Sequence, residues 1–132
     1  MKIPNMAKNI LALDYGTKKT GLAYAVEGFS FAWKTVKTPE LLSLLPKMIQ
    51  EKKIETIIIG MPFNIDGTMS VHWKRVEKFK AELEKSIKLP IILHDERLTS
   101  SIAKMNFEED GIEWDIDAEA ARLILVSWLS SL

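Results

Sequence analysis

Asn9-Ile10-Leu11-Ala12-Leu13-Asp14-Tyr15-Gly16-Thr17-Lys18-Lys19-Thr20-Gly21-Leu22-Ala23-Tyr24-Ala25-Val26-Glu27-Gly28-Phe29 is the stretch that decides the fold. Its opening, residues 9–14, is an apolar run closed by a carboxylate, which reads as a buried strand with a charge at its end. The chain turns over Tyr15 to Lys19, and residues 20–26 read as a second strand. Glu27-Gly28 is a two-residue hairpin signal, and Phe29 to Val36 alternates as a third strand. Strands joined this tightly should be antiparallel neighbours.

Downstream the period lengthens. Leu41, Leu42, Leu44, Leu45, Met48 and Ile49 have helical spacing, with Pro46 inside it, so the helix should either begin near Ser43 or be kinked. Thr56 to Gly60 reads as a short apolar strand, and Val76, Phe79, Leu83 and Ile87 mark one face of a helix otherwise made of Lys and Glu. Pro90 to Leu93 is another buried strand, followed by a helix from about Leu98 to Phe107. A last helix, Asp117 to Leu132, carries Ala120, Ala121, Ile124, Leu125 and Trp128 on a wide apolar stripe. The order β-β-β-α-β-α-β-α-α implies an α/β domain: a mixed five-stranded sheet, three antiparallel strands then two parallel, flanked by helices. No repeat or linker divides it, so residues 9–132 read as one domain and residues 1–8 as a flexible tail or a start-site extension.

Composition narrows the function classes. The 132 residues suffice for one core, and 47% hydrophobic with 27% charged is ordinary for a globular chain. Without cysteine there is no disulfide scaffold, zinc-thiolate site or thiol nucleophile, which fits a reducing compartment. Met1 to Asn9 has no signal-peptide core and no apolar run approaches membrane length, so the expected place is the cytoplasm, away from membranes. Lys plus Arg equals Asp plus Glu at 18 each. Nucleic-acid binding would therefore need a local basic patch, or metal held in an acidic cleft.

Open sheets place their sites beyond the carboxyl ends of the parallel strands. Asp14 and Glu96 both fall at such ends. Each has a plain alternative: Asp14 as a turn aspartate, and Glu96 as an acid favoured by the helix that it opens. Asp117 can equally be the N-cap of the last helix, and Arg97 and Thr99 an ion pair and a cap. The conjunction carries the argument, because the last helix should bring Asp117 to the same end of the sheet. Like charges ~4 Å apart repel by roughly 4 kcal/mol at an effective dielectric of ~20, so such a cluster must protonate or bind cations. Hard oxygen donors with open positions favour Mg²⁺ or Mn²⁺, and two ions of that kind can assist water in cutting a phosphodiester.

Candidate catalytic and metal-binding residues are therefore Asp14, Glu96 and Asp117. Candidate substrate contacts are Gly16, Thr17 and Lys18 on the first turn, Asn64, Asp66 and Gly67 on the loop after the fourth strand, and Arg97 and Thr99. His72 and His94 read as structural or surface residues, lacking partners at metal-binding spacing. Trp33, Trp114 and Trp128 could stack on bases, although core packing is the commoner role.

Four stretches together resemble the motifs of the YqgF family, also called RuvX, the Holliday-junction-resolvase-like or pre-16S rRNA nuclease family. They are Asp14-Tyr15-Gly16-Thr17-Lys18-Lys19-Thr20-Gly21-Leu22-Ala23; Gly60-Met61-Pro62 with Asp66-Gly67-Thr68; Asp95-Glu96-Arg97-Leu98-Thr99; and Asp117-Ala118 with Ala120-Ala121 and Ile124-Leu125. The resemblance runs from Asn9 to Leu132. It implies a ribonuclease H-like fold, a cytoplasmic enzyme, processing of the 5′ end of pre-16S ribosomal RNA, and an acidic triad at Asp14, Glu96 and Asp117. One departure is the acidic segment Phe107 to Asp115, where relatives often carry basic residues. The expected partner is structured RNA before a DNA junction, with the chain a monomer or a homodimer. Other readings are junction resolution by the same chemistry, an Asp-x-Gly-Thr phosphate loop as in sugar kinases and actin-like ATPases, and a non-catalytic module of ribosome assembly.

Overall fold

The computed structural model describes residues 9–61, 72–95 and 115–131. Within them lie β1 (Ile10–Asp14), β2 (Lys19–Val26), β3 (Phe29–Lys37), α1 (Thr38–Lys52), β4 (Thr56–Met61), α2 (Trp73–Ser86), β5 (Ile91–Asp95) and α3 (Ile116–Ser130). The expected helix between Leu98 and Phe107 lies outside the described residues.

The strands form one five-stranded sheet in the order β3-β2-β1-β4-β5. β1, β2 and β3 pair antiparallel through short turns. β4 then joins β1 in parallel, and β5 joins β4 in parallel. The β2–β3 turn places Glu27 at φ 52° and Gly28 at φ 87°. Two consecutive positive φ values match the twist of the strands they join, and the glycine adopts its value at little cost.

Alternation along the strands sends side chains to opposite faces and builds a core on each. Leu11, Leu13, Leu22, Ile57 and Ile59 pack with Leu41, Leu45, Met48, Val76, Phe79 and Leu83 of α1 and α2. Ile10, Ala12, Ala23, Ala25 and Ile58 pack with Ala121, Ile124, Leu125 and Trp128 of α3. Three of those five strand residues are alanine, which lets that helix lie close to the sheet.

α3 crosses the sheet and is held near both ends. Thr35 of β3 donates to the Asp115 carboxylate, and His94 of β5 lies 2.9 Å from the Ser127 hydroxyl. Twelve helical residues rise about 18 Å, close to the roughly 19 Å of four interstrand spacings. The first turn of α3 is therefore fixed relative to the strands.

Two expectations about helix starts change. α1 begins at Thr38, not Ser43, with Pro39 in its first turn, and it runs on through Pro46. The proline withdraws only the hydrogen bond to the Leu42 carbonyl. Both residues lie on the exposed side, where water replaces that bond. α3 begins one residue early, at Ile116: its N-cap is Asp115, whose carboxylate accepts from the Ala118 amide at 3.1 Å. Asp117 is thereby relieved of the capping role that the sequence allowed it.

Candidate active site

Asp14 is the last residue of β1, half-buried, and sits opposite Gly21 of β2. Alternation places it on the same face as Ile10 and Ala12, the face that α3 covers. Gly21 is fully covered by the first turn of α3. A Cβ built there would overlap the Asp117 carbonyl and lie 2.9 Å from the Ala118 nitrogen. The backbone of Asp117 thus rests on the residue directly across from Asp14, and facing Cα atoms in such a pair are about 4.5–5.5 Å apart. Two of the sequence-predicted acids are brought to one end of the sheet by a glycine.

The Asp117 carboxylate meets the Lys19 ammonium at 3.0 Å. The hydrogen bond to Asp117, with the charge of that carboxylate, raises the Lys19 pKa above its ordinary value. Asp117 also lies in the first turn of α3, where unsatisfied backbone amides favour negative charge.

The turn that carries Asp14 forward is tethered on two sides. The Tyr15 ring stacks on Phe79 of α2, with centroids 4.5 Å apart, and the Tyr15 carbonyl lies 2.9 Å from His72 Nε2. Burial, then the nearby Glu82 charge, raises the Tyr15 pKa. On the other side the Thr38 hydroxyl donates to the Gly16 carbonyl at 2.6 Å, and the Thr38 amide donates to the Lys18 carbonyl at 2.9 Å. The hydroxyl of the buried Thr20 lies 2.9 Å from that of Thr38. Gly16 sits where a Cβ would overlap the Lys19 carbonyl. Thr17 and Lys18 are exposed at the tip, open to a ligand above the sheet end.

β4 ends at Met61 and β5 at Asp95, with Gly60 paired to His94 and Met61 to Asp95. The end of β5 therefore stands about 10 Å from that of β1, two interstrand spacings away. Glu96 follows Asp95 in the chain. Glu96, Arg97, Thr99, Asn64, Asp66 and Gly67 all lie outside the described residues. Among the described residues no three His, Cys, Asp or Glu side chains gather as a metal cluster. The pair Asp14 and Asp117 is all oxygen, the donor chemistry that suits Mg²⁺ or Mn²⁺.

Gly21, Lys19, Thr20, Thr38 and Asp115 were given no role by the sequence reading. For Gly21 a signal was present: in Gly21-Leu22-Ala23-Tyr24-Ala25-Val26 small and large residues alternate strictly, marking one face for close approach. The others depend on contacts between elements distant in the chain.

The family model described as RuvX, Holliday junction resolvase, matches residues 8–131. The chain belongs to the RuvX family. A relative from Maridesulfovibrio salexigens, named as a candidate pre-16S rRNA nuclease, is 36% identical over 92% of this chain and 97% of its own length. A Buchnera aphidicola relative with the same name is 40% identical over 90% of this chain and 94% of its own. Among solved structures, Thermus thermophilus RuvC in complex with a Holliday junction substrate superposes with a TM-score of 0.59 at 12% identity, covering 94% of this chain and 96% of that one. A second RuvC structure from that organism gives 0.53 at 15% identity. These likenesses show the ribonuclease H-like fold. As a RuvX-family member the chain is of a nuclease family. No helix among its described residues is long and apolar enough to cross a membrane.

Proposed function

We propose that this RuvX-family chain is a cytoplasmic, divalent-metal-dependent endonuclease that trims the 5′ end of pre-16S ribosomal RNA. The observation that carries this reading is the seating of Asp117 on Gly21, opposite Asp14, at the carboxyl end of the parallel strands. The names of the bacterial relatives supply the substrate.

Asp14, Asp117 and Glu96 would hold Mg²⁺ or Mn²⁺. When bound, the cation neutralises phosphate charge and makes water acidic enough to attack at neutral pH. The chain's own residues do the rest. Asp14 and Asp117 present oxygens from two rigid elements, a central strand and a helix start, so little ordering is needed on binding. Lys19 compensates Asp117 until a cation takes its place. Thr17 and Lys18 stand at the exposed tip to meet the phosphate backbone, with Gly16 giving it close access. Asn64, Asp66 and Gly67, with Arg97 and Thr99, would complete the substrate contacts. The chain would act as a monomer or a homodimer.

A second reading, cutting of four-way DNA junctions, draws on the likeness to RuvC bound to such a junction. Side-by-side assays with Mn²⁺ or Mg²⁺ separate the two. Our reading expects nicking of a precursor rRNA fragment and little cutting of a four-way DNA junction. Preference for the junction would favour the second reading, and binding without cleavage of either would favour a non-catalytic module.

A further inference from the structure

Far from the acids, the outer end of the β2–β3 hairpin exposes aromatic rings in a manner that core packing does not explain. Phe29 is 70% exposed and Phe31 46%. They stand two residues apart on β3, an edge strand, and so share a face. Phe31 pairs with Tyr24 across the hairpin, their centroids 5.3 Å apart, and Tyr24 meets the edge of Trp33 at 5.6 Å. Trp33 is the extra residue of a bulge, since Leu22 pairs with Lys34 while Ala23 pairs with Ala32. Bulges re-aim side chains, and here the result is a continuous aromatic row with two rings left open to solvent.

The charges beside the row are positive. The Lys52 ammonium, at the end of α1, lies 4.5 Å from the Tyr24 ring centroid and 5.1 Å from that of Trp33. The Lys34 ammonium lies 4.9 Å from the Trp33 centroid. Between residues 19 and 37 the one acid is Glu27, against Lys19, Lys34 and Lys37. Lysines on an edge strand oppose pairing with a second copy. Open rings at one end of the row and ammonium groups at the other suit a partner that is itself flat, stackable and anionic.

We propose that this hairpin face is a second nucleic-acid contact: Phe29 and Phe31 stack on bases of a single RNA strand whose phosphates meet Lys34 and Lys52. The proposal rests on the nuclease reading for its substrate and deepens it. It also answers the zero net charge, since attraction to RNA is then local. Along β2, the step from Gly21 beside Asp14 to Val26 beside Phe29 spans about 17 Å. The row shares the face of Leu22 and Asp14 that of Ala12, so at about 3.4 Å per stacked nucleotide a strand rounding the edge needs at least about five nucleotides from the site of cutting. The outer edge of β3 offers a path between them.

The test is fluorescence anisotropy with oligouridylate and oligoadenylate dodecamers in EDTA, which reads binding without cleavage. Phe29→Ser/Phe31→Ser is expected to weaken binding of both by about a hundredfold, since each of the two lost stacks is worth about tenfold. Phe29→Tyr/Phe31→Tyr keeps the rings and is expected to bind as the wild type does. Lys52→Gln should lower the salt dependence by about one phosphate contact. With Mn²⁺, the Ser variant should raise KM on a long precursor and leave cleavage of a trinucleotide unchanged. Unchanged dodecamer affinity in the Ser variant overturns the proposal. So does a dimer, seen by light scattering, that dissociates in that variant without loss of RNA affinity. A protein that cuts nothing yet shows ring-dependent RNA binding would retire the nuclease reading and keep this one.

Discussion

Gly21 and the Asp117 carbonyl lie so close that no side chain fits between β2 and the first turn of α3. Because Gly21 faces Asp14 across the β1–β2 ladder, the contact sets the distance between two acids separated by most of the chain. Gly21→Ala must push the helix start away from the sheet. We expect a loss of about 1–3 kcal/mol, typical of overpacking, measurable by urea unfolding. Displacing Asp117 by even ~1 Å should also lower cleavage by about a hundredfold. Equal cleavage in the two proteins would remove the contact from the account.

Lys19 and Asp117 form an ion pair at the same place. Lys19→Met should leave the fold intact, because the lysine is exposed. It frees the carboxylate of its competing cation, so Mn²⁺ affinity read by calorimetry should rise, on the order of threefold for an exposed pair. A fall in affinity would show that the ammonium assists the metal.

Thr38 ties the turn after Asp14 to the start of α1 through the Gly16 carbonyl and Thr20. Thr38→Val keeps the shape and removes the hydroxyl, leaving the buried Thr20 hydroxyl and the half-buried Gly16 carbonyl without that partner at a cost of about 1 kcal/mol. Thermal unfolding should show the drop, and amide exchange at residues 16–18 should quicken. Protection unchanged over that turn would mean that other contacts hold it.

Tyr15 gives a pH signature. Its pKa is raised above the ordinary 10.0, by burial first and Glu82 second. The folded state therefore holds the phenol proton more tightly than the unfolded chain does. That contribution is fully present below pH 10.0 and is lost as pH rises through the higher folded value. Denaturant titrations from neutral into alkaline solution should show a steeper decline for the wild type than for Tyr15→Phe. Parallel declines would contradict the assignment.

Much of the sheet was legible because strand faces are read locally. The apolar run ending at Asp14, the Glu27-Gly28 turn and the alternation after it each act over a few residues. Asp117 was offered by the order of elements, which should bring the last helix to the end of the sheet, and by the family motif, whereas its place at a helix start alone offered it as a cap. What the sequence hid was relational. Asp115 and Asp117 both suit an N-cap by type, and only the contacts of the Asp115 carboxylate with the Thr35 hydroxyl and the Ala118 amide show which one caps. Pro46 looked like a helix breaker because its exposure could not be read from its neighbours. The aromatic row on the hairpin was masked by a bulge that shifts the alternation by one at Trp33.

The most direct test of the central claim is Mn²⁺ binding, by calorimetry, to the wild type, Asp14→Asn and Asp117→Asn, with unfolding temperatures taken without metal. The account predicts that each substitution weakens Mn²⁺ binding by at least about tenfold, as loss of a charged oxygen ligand should. It also predicts that Asp14→Asn does not lower the metal-free unfolding temperature, because it removes a like charge from beside Asp117, whereas Asp117→Asn also gives up the ion pair with Lys19. Wild-type Mn²⁺ affinity in either variant would contradict a shared site at these two acids.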